Sequence, residues 1–533
     1  MKYRKVCLLC LCFALFAITA YAQKVEENMM KFGRLIQLLE NYYVDTVNVD
    51  QLTEKAIVEV LSKLDPHSVY ISKEDLKKMN EPLEGSFDGI GISFNIFKDT
   101  ILVVTTIPGG PSEKAGLMSG DKIIYIDNKV VAGIGFKDND VTGKLRGKKG
   151  TRVDLKIKRS REAELIDFTI IRDKIPLYSL DVAYLLDNKT GYIKLNRFSA
   201  TTTEEFQNAL KELQAKTDLK NLVLDLRGNG GGFMKPAVDI ADEFLDKQEL
   251  IVFTQGVHEK RNDIRASSLG NFQKGQLVII IDEGSASASE ILAGAVQDWD
   301  RGVIVGRRSY GKGLVQSPFS LADGSAIRLT TSYYYSPSGR AIQKPFDKGI
   351  DEYRLDYLYR LEHGEFFSKD SITVNKDQQF KTLKNQRTVY GGGGIMPDIF
   401  VPMDTSSNYR LYNNLVRQNI LYSVFLEHIY NIKEDISQKY NDFDKFLALY
   451  KVEESFIDNI LDAAKKANIP MTEQEIEFSR PIIRRQLKAL IASEIFGQGY
   501  YYQVINEDDK MVQKVKEILS NSKIYDNILL KAE

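Results

Sequence analysis

Three short segments carry the side chains able to do chemistry. Gly284-Ser285-Ala286-Ser287-Ala288-Ser289-Glu290 lies between an apolar run, Leu277 to Ile281, and a stretch with Ile291, Leu292, Ala295 and Val296 at helical spacing. A strand-to-helix turn projects side chains from the sheet edge where α/β sites form. The helix N-terminus offers unpaired N–H groups and the positive end of a dipole. A serine here is placed to attack a carbonyl and have the resulting anion stabilised, although helix capping by one of three serines explains the segment equally well on its own. The second segment, Arg227-Gly228-Asn229-Gly230-Gly231-Gly232, follows the short apolar strand Leu222-Val223-Leu224. Successive glycines let backbone N–H groups converge on an anion, which is how an oxyanion hole is built. The dinucleotide pattern G-x-G-x-x-G fails, because Phe233 stands where its third glycine belongs.

The third segment, Gly306-Arg307-Arg308-Ser309-Tyr310-Gly311-Lys312-Gly313, matches G-x-x-x-x-G-K. A phosphate-binding loop would need Ser or Thr after the lysine and a helix beyond it; Gly313 and a strand-like Leu314-Val315-Gln316 follow instead. Lys312 is better read as a base. A serine hydroxyl needs one, no histidine lies near these segments in sequence, and a lysine serves where its ammonium is desolvated. On a strand, Lys312, Leu314 and Gln316 share a face, so Gln316 can orient the lysine.

These segments need a scaffold, and the periodicity supplies one. Residues 23–82 read as helices, with Phe32, Leu35, Ile36, Leu38 and Leu39 as one apolar stripe and Leu52, Ala56, Ile57, Val60 and Leu61 as another. Residues 83–172 change to period two (Ile92, Phe94, Ile96; Val153, Leu155, Ile157) and form a small, mostly β module. Residues 173–403 alternate strands and helices, which implies a partly parallel sheet; within them, 346–394 is polar and is read as a mobile insertion. Residues 404–533 are helical, with Ile483, Leu487, Leu490, Ile491 and Ile495 in register, a capping box at Thr472 and Glu475, and a stop at Gly497. The last block is expected to be a helical packing domain.

Residues 1–22 read as a secretory leader: Lys2, Arg4 and Lys5, an apolar run from Val6 to Ile18, then Ala20-Tyr21-Ala22. All three cysteines (Cys7, Cys10, Cys12) fall inside it, so cleavage leaves no disulfide, no thiol nucleophile and no cysteine-bound metal. His67, His258, His363 and His428 are widely scattered, and no metal or other cofactor is expected. The formal net charge of −1 becomes more acidic once the leader is lost, which argues against nucleic acid as a partner. The expected product is an exported, periplasmic protein, soluble or peripheral to the envelope.

Taken together, the motifs resemble the C-terminal processing (tail-specific) peptidases. Gly284 to Glu290 is similar to that family's nucleophile segment and Tyr310 to Gln316 to its lysine segment, with a spacing that selects Ser287. Leu64-Asp65-Pro66-His67-Ser68, Tyr335-Ser336-Pro337-Ser338-Gly339-Arg340, Ile342-Gln343 and Ile395-Met396-Pro397-Asp398 match further signatures. The resemblance implies a multidomain α/β + β fold: N-terminal helices, a PDZ domain, a crotonase/ClpP-like α/β protease core and a C-terminal helical domain. It implies Ser287 as nucleophile, Lys312 as base and Gln316 as third residue, with Gly231, Gly232 and Ala288 forming the oxyanion hole. The β module becomes a PDZ domain in which Gly89, Ile90, Gly91 and Ile92 bind a chain end, Val141 and Leu145 line the side-chain pocket, and Arg172 links the module to the core in a regulatory role. Unfolded polypeptides or exposed C-termini are the implied substrates, with an adaptor protein and self-association as further partners. One departure stands out: Gly230 occupies a position where many relatives have proline.

Overall fold

The computed structural model describes residues 24–530 apart from Lys98 and residues 160–161, 268–269 and 405–408. The leader over 1–22 lies outside them. The chain divides into two units: Met1–Lys73 with Gln316–Thr330, and Glu74–Val315 with Thr331–Glu533.

In the first unit, helix α1 spans 24–42 and helix α2 spans Val49–Ser62, capped by Asn48, whose side chain accepts from the Gln51 N–H. The apolar stripe of α1 is largely exposed at Phe32, Leu35 and Leu38. Strand β1 (Val69–Ile71) pairs antiparallel with residues 326–328. The Asp65-Pro66-His67-Ser68 motif has a structural role. Asp65 Oδ1 accepts the N–H groups of His67 and Ser68 at 2.8 and 2.9 Å and the Thr330 hydroxyl at 3.0 Å, while Ser68 Oγ accepts from Thr330 N–H at 3.0 Å. One carboxylate thus satisfies a turn and fastens it to a distant strand.

In the second unit, helix α3 (Lys73–Glu84) leads to strand β2 (Ser86–Gly89). The β module then follows as β3 (Ile92–Phe97), β4 (Thr100–Thr106), helix α4 (Pro111–Ala115), β5 (Lys122–Ile126), β6 (Lys129–Val130), helix α5 (Asp138–Leu145), β7 (Arg152–Lys158), β8 (Ile166–Ile171) and β9 (Asp173–Pro176). Strand β9 pairs antiparallel with β2, so the chain enters and leaves the module side by side. The sheet order is β3-β4-β5-β7-β8, with β6 beside β5, which leaves β3 at an edge.

The core begins with β10 (Leu180–Asp187), β11 (Thr190–Leu195), helix α6 (Thr202–Lys216), β12 (Asn221–Asp225), helix α7 (Met234–Asp242), β13 (Leu250–Gln255), β14 (Asn262–Arg265), β15 (Gln276–Ile281), helix α8 (Ala288–Asp298) and β16 (Val303–Gly306). It continues with β17 (Leu314–Ser320), β18 (Ala326–Tyr335), helix α9 (Ile350–Glu362), the hairpin β19 (Gln379–Lys381) and β20 (Thr388–Tyr390), and β21 (Ile399–Phe400). The central sheet runs β10-β11-β12-β15-β16-β21, antiparallel at its first pair and parallel thereafter. Both faces are buried, which is why β12 and β15 read as continuous apolar runs rather than alternating ones. Leu222, Leu224, Leu277, Ile279 and Ile281 pack under α6, α7 and α8. Val223, Val278, Ile280, Val303 and Val305 point the other way.

That second face is covered by the far end of the chain. Helices α10 (Arg410–Arg417), α11 (Ile420–Lys439), α12 (Phe443–Leu449), α13 (Glu454–Lys466) and α14 (Glu473–Phe496) share a core of their own, joined by Phe97 and Leu102 of the β module. Helix α15 (Gly499–Asn506) is followed by α16 (Lys510–Ser520) and α17 (Ser522–Leu530), whose Met511, Val512, Val515, Ile518, Tyr525 and Leu529 lie on the sheet. The helical block read over 404–533 therefore serves two cores: its last helices are the missing layer of the α/β sheet. Thr472 and Glu475 do form the capping box (Thr472 N–H to Glu475 Oε2 2.9 Å, Glu475 N–H to Thr472 Oγ1 3.2 Å), and α14 ends at Gly497.

The 346–394 segment, read as a mobile insertion, is anchored by buried ion pairs at a few positions, while most of its charged side chains are exposed. Arg308 and Arg360 both hold Glu365 (2.6 and 2.8 Å), and Arg387 bridges Asp300 and Asp398 (2.7 and 2.6 Å). Phe366 and Thr382 are fully buried.

Candidate active site

The turn from β15 to α8 separates the three serines. Ser285 Oγ donates to Leu226 O at 2.8 Å and Ser289 Oγ to Asn229 O at 2.8 Å, and neither residue is exposed. Ser287 is half-buried, and its backbone sits at φ 55°, ψ −111°, a region that costs a non-glycine residue about 1–3 kcal/mol. Surrounding structure must impose that conformation, and a strained serine at a strand-to-helix elbow presents its hydroxyl at the top of the sheet.

A buried carboxylate, Glu290, does much of the imposing. Oε2 accepts the N–H groups of Ser287 (2.8 Å) and Lys312 (2.9 Å), and Oε1 accepts the Gly311 N–H (2.7 Å) and the Ser309 hydroxyl (2.5 Å). The backbones of Ser287 and Lys312 thus hang from one oxygen. Burial pushes the Glu290 carboxyl up from its usual range, against the pull of those four donors. Tyr334 repeats the device from the other side: its hydroxyl lies against Lys312 O and 3.0 Å from Ser287 O. Burial, with Glu290 nearby, drives the Tyr334 phenol well above its usual value, so it remains a proton donor. The sequence reading quoted Glu290 within a motif and gave it no role, and it missed Tyr334. Three-residue spacing from Ser287 into a helix is a capping-box signal that could have found Glu290.

Lys312 is half-buried and precedes β17 rather than lying on it. Strand alternation therefore does not set Lys312 and Gln316 on one face: Gln316 is the third residue of β17, and Lys312 lies before it. A strand after Lys312 also removes the helix that a phosphate-binding loop requires.

Gly231 lies against Ser287. A Cβ built on it would come 2.9 Å from Ser287 Cβ and 2.8 Å from Ala286 O, and its φ of +97° excludes other residues independently. Its N–H, expected in the oxyanion hole, instead donates to Asn229 Oδ1 at 2.9 Å. Among the described residues, the N–H groups of Gly232 and Ala288 have no protein acceptor, the latter because it opens α8. Asn229, named in the loop motif without a role, is fully buried and stitches loop to elbow: its carbonyl accepts the Ala286 N–H (3.0 Å) and the Ser289 hydroxyl, and its amide donates to Leu195 O (3.1 Å).

In the β module, Val141, Leu145 and Ile90 belong to one buried cluster, with Ile92, Phe94 and Ile96 half-buried against it. Ile90 O accepts from Ser112 N–H and Oγ (3.1 and 2.6 Å), and Gly91 O accepts from Ile107 N–H (2.9 Å). Among the described residues, the N–H groups of Ile90 and Gly91 have no acceptor. Gly89 differs: it ends β2 and faces Asp173 in the ribbon. Arg172, expected to link the module to the core, makes its side-chain hydrogen bonds inside the module. Its guanidinium donates to Lys144 O (2.8 Å), Leu145 O (3.0 Å), Arg152 O (2.9 Å) and Thr151 Oγ1 (3.2 Å), all within the module, and so caps the C-terminus of α5.

Comparison with known proteins follows these features. The model for peptidase family S41 matches residues 189–352, a PDZ-domain model matches 89–170, the N-terminal domain of the activating protease CtpB matches 17–75, and a family of unknown function matches 411–497. The carboxy-terminal-processing protease of Bartonella bacilliformis is 35% identical over 411 residues, covering 76% of this chain and 91% of its own. The carboxy-terminal processing protease CtpB of Bacillus subtilis is 37% identical over 394 residues, covering 72% and 79%. Among solved structures, the photosystem II D1 C-terminal processing protease is 30% identical, with a TM-score of 0.33, over 58% of this chain and 82% of its own. With a relative this similar matched over nearly its whole length, the chain belongs to the carboxy-terminal processing proteases of peptidase family S41, and it is a serine-type peptidase carrying a PDZ domain.

Proposed function

We propose that this peptidase is exported to the periplasm, binds polypeptides by their C-termini at the PDZ module, and cleaves them at a Ser287–Lys312 pair with Gln316 as the third residue. The observation that carries this reading is the shared Glu290 oxygen, which ties the N–H groups of a strained, accessible serine and of a lysine to one acceptor. Lys312 Nζ, as the neutral amine, removes the Ser287 Oγ proton while Oγ attacks the scissile carbonyl carbon. The C=O electron pair moves to oxygen, and the Gly232 and Ala288 N–H groups donate to the oxyanion. Collapse breaks the C–N bond, Lys312 returns the proton to the leaving amine, and water then releases the acyl group by the same steps.

For the PDZ module, the edge position of β3 and the two buried, unpaired N–H groups at Ile90 and Gly91 support strand addition by a peptide whose carboxylate ends at that loop. Among the described residues no helix is long and apolar enough to cross a membrane, which fits an exported chain released from its leader.

The test is cleavage of an unfolded protein with an apolar C-terminus by the mature chain. Parent activity should vanish in Ser287→Ala and in Lys312→Ala. Activity surviving in Ser287→Ala overturns the site.

A further inference from the structure

The glycine loop that faces Ser287 is anchored by a residue far outside the family-matched segment 189–352. Arg227 opens the loop. Its Nε lies 3.0 and 2.9 Å from the two oxygens of Asp225, and Nη2 donates to Asp225 Oδ2 at 2.6 Å. Asp225 is fully buried and also accepts from Tyr192 Oη at 2.6 Å, while Lys194 Nζ donates to Arg227 O at 3.1 Å. The remaining guanidinium nitrogen, Nη1, donates to Asp509 Oδ2 at 2.8 Å. Asp509 stands between α15 and α16, and its other oxygen caps α16 by accepting the Val512 N–H at 2.9 Å. One carboxylate therefore holds two things at once: the helix that covers the sheet's second face and the arginine from which the catalytic loop departs.

We infer that Asp509 is a positioning residue for catalysis, fixing the Gly228–Gly232 loop against Ser287 through Arg227. The consequence is geometric. Gly231 lies so near Ser287 that a Cβ added to it would come 2.9 Å from Ser287 Cβ, so a shift of the loop is felt at the serine, and an arginine paired with carboxylates on both sides is held against such a shift. Asp225 anchors the guanidinium locally, two residues away, and Asp509 adds the anchor that ties it to the C-terminal helices. This assigns the C-terminal helices a part in the reaction beyond covering the sheet. The inference rests on Ser287 acting as the nucleophile.

The experiment compares the full mature chain with Asp509→Asn, which retains a favoured N-cap oxygen while removing the charge, and with Asp509→Ser, which caps but is too short to reach Arg227. Both should keep the parent melting temperature and KM within twofold, and lose about tenfold in kcat, the scale expected when a reacting group is misplaced by a fraction of an ångström. Binding of a peptide aldehyde, which adds reversibly to the serine as a tetrahedral mimic, should weaken by the same factor, and Asp509→Glu should recover part of it. An unchanged kcat in folded Asp509→Asn, or a loss confined to KM, overturns the inference. If the parent itself proved no more active than Ser287→Ala, the nucleophile assignment would fall instead, and the aldehyde would bind neither.

Discussion

Two glycine loops in this chain look alike in sequence and are built differently. The loop at Gly89–Ile92 is held from within its own module: Ile107 and Ser112 fasten its carbonyls, and Gly91 takes a φ of +75°. The loop at Gly228–Gly232 is assembled from remote parts of the chain, namely Leu195, Phe198, the elbow at 286–289 and Asp509. A peptide-capturing loop needs only to expose N–H groups, and a local scaffold suffices. On the proposed function, the Gly228–Gly232 loop has to hold its N–H groups at hydrogen-bond distance from an oxyanion formed at Ser287, and its anchors are drawn from distant parts of the chain. Damage to the first should therefore appear in KM, and damage to the second in kcat.

The largest effect should come from Gly231→Ala. The new methyl would sit 2.9 Å from Ser287 Cβ and 2.8 Å from Ala286 O at a φ disfavoured for alanine, and we expect kcat to fall by about a hundredfold or more, as when oxyanion stabilisation is removed. Steady-state kinetics on a folded variant would read this, and a pure KM effect would erase the contrast between the loops.

Glu290→Gln should come next. An amide cannot accept from four donors with both ends, so the N–H of Ser287 or Lys312 loses its partner. A fall in kcat of about tenfold to a hundredfold is expected, equivalent to about 1.4–2.7 kcal/mol. Because burial raises the Glu290 carboxyl, it takes up a proton at higher pH than an exposed glutamate does. The anionic acceptor is thus present above that raised value and is lost as pH falls through it. The parent kcat profile should show this acid limb, and Glu290→Gln should lack it; a limb that persists in the variant belongs to another group.

The smallest effect should be that of Gly91→Ala, at φ +75° with a methyl 3.0 Å from Ile175 Cδ1. A strain of about 1 kcal/mol should raise KM for a substrate with an apolar C-terminus roughly fivefold and leave kcat alone. Titration of the same C-terminal peptide onto the chain would confirm the source.

How legible the site was depended on the kind of signal each residue leaves. Ser287, Lys312 and the glycines stand in local motifs, and local chemistry is what a motif encodes. Glu290 and Asn229 lay in such motifs, yet the role of Glu290 depends on Lys312 arriving from 22 residues away and that of Asn229 on Leu195 and the elbow at 286–289, and Tyr334 carries no local mark of function. Arg172 was noticed for its position after the module, but position could not tell a brace on α5 from a contact with the core. The polar composition of 346–394 suggested mobility, because composition cannot distinguish solvated charges from the paired ones of Arg308, Glu365 and Arg360.

By itself, the sequence determined the elements and their order: period-two runs for the module, apolar runs between helices for the core, the capping box at Thr472 and the stop at Gly497. Among the three serines of 284–290 the segment alone left the choice open; the family resemblance, through its spacing to Lys312, pointed to Ser287, and the strained backbone there, at φ 55°, is a property of the fold. Only the tertiary structure decided that α16 and α17 complete the α/β sheet, that Glu290 and Tyr334 bind the backbones of Ser287 and Lys312 together, and that Asp509 reaches Arg227. The physical reason is common to all three. Periodicity records that a face will be buried, and a charged residue records that it needs a partner, but which face and which partner are settled by long-range packing that neither signal contains.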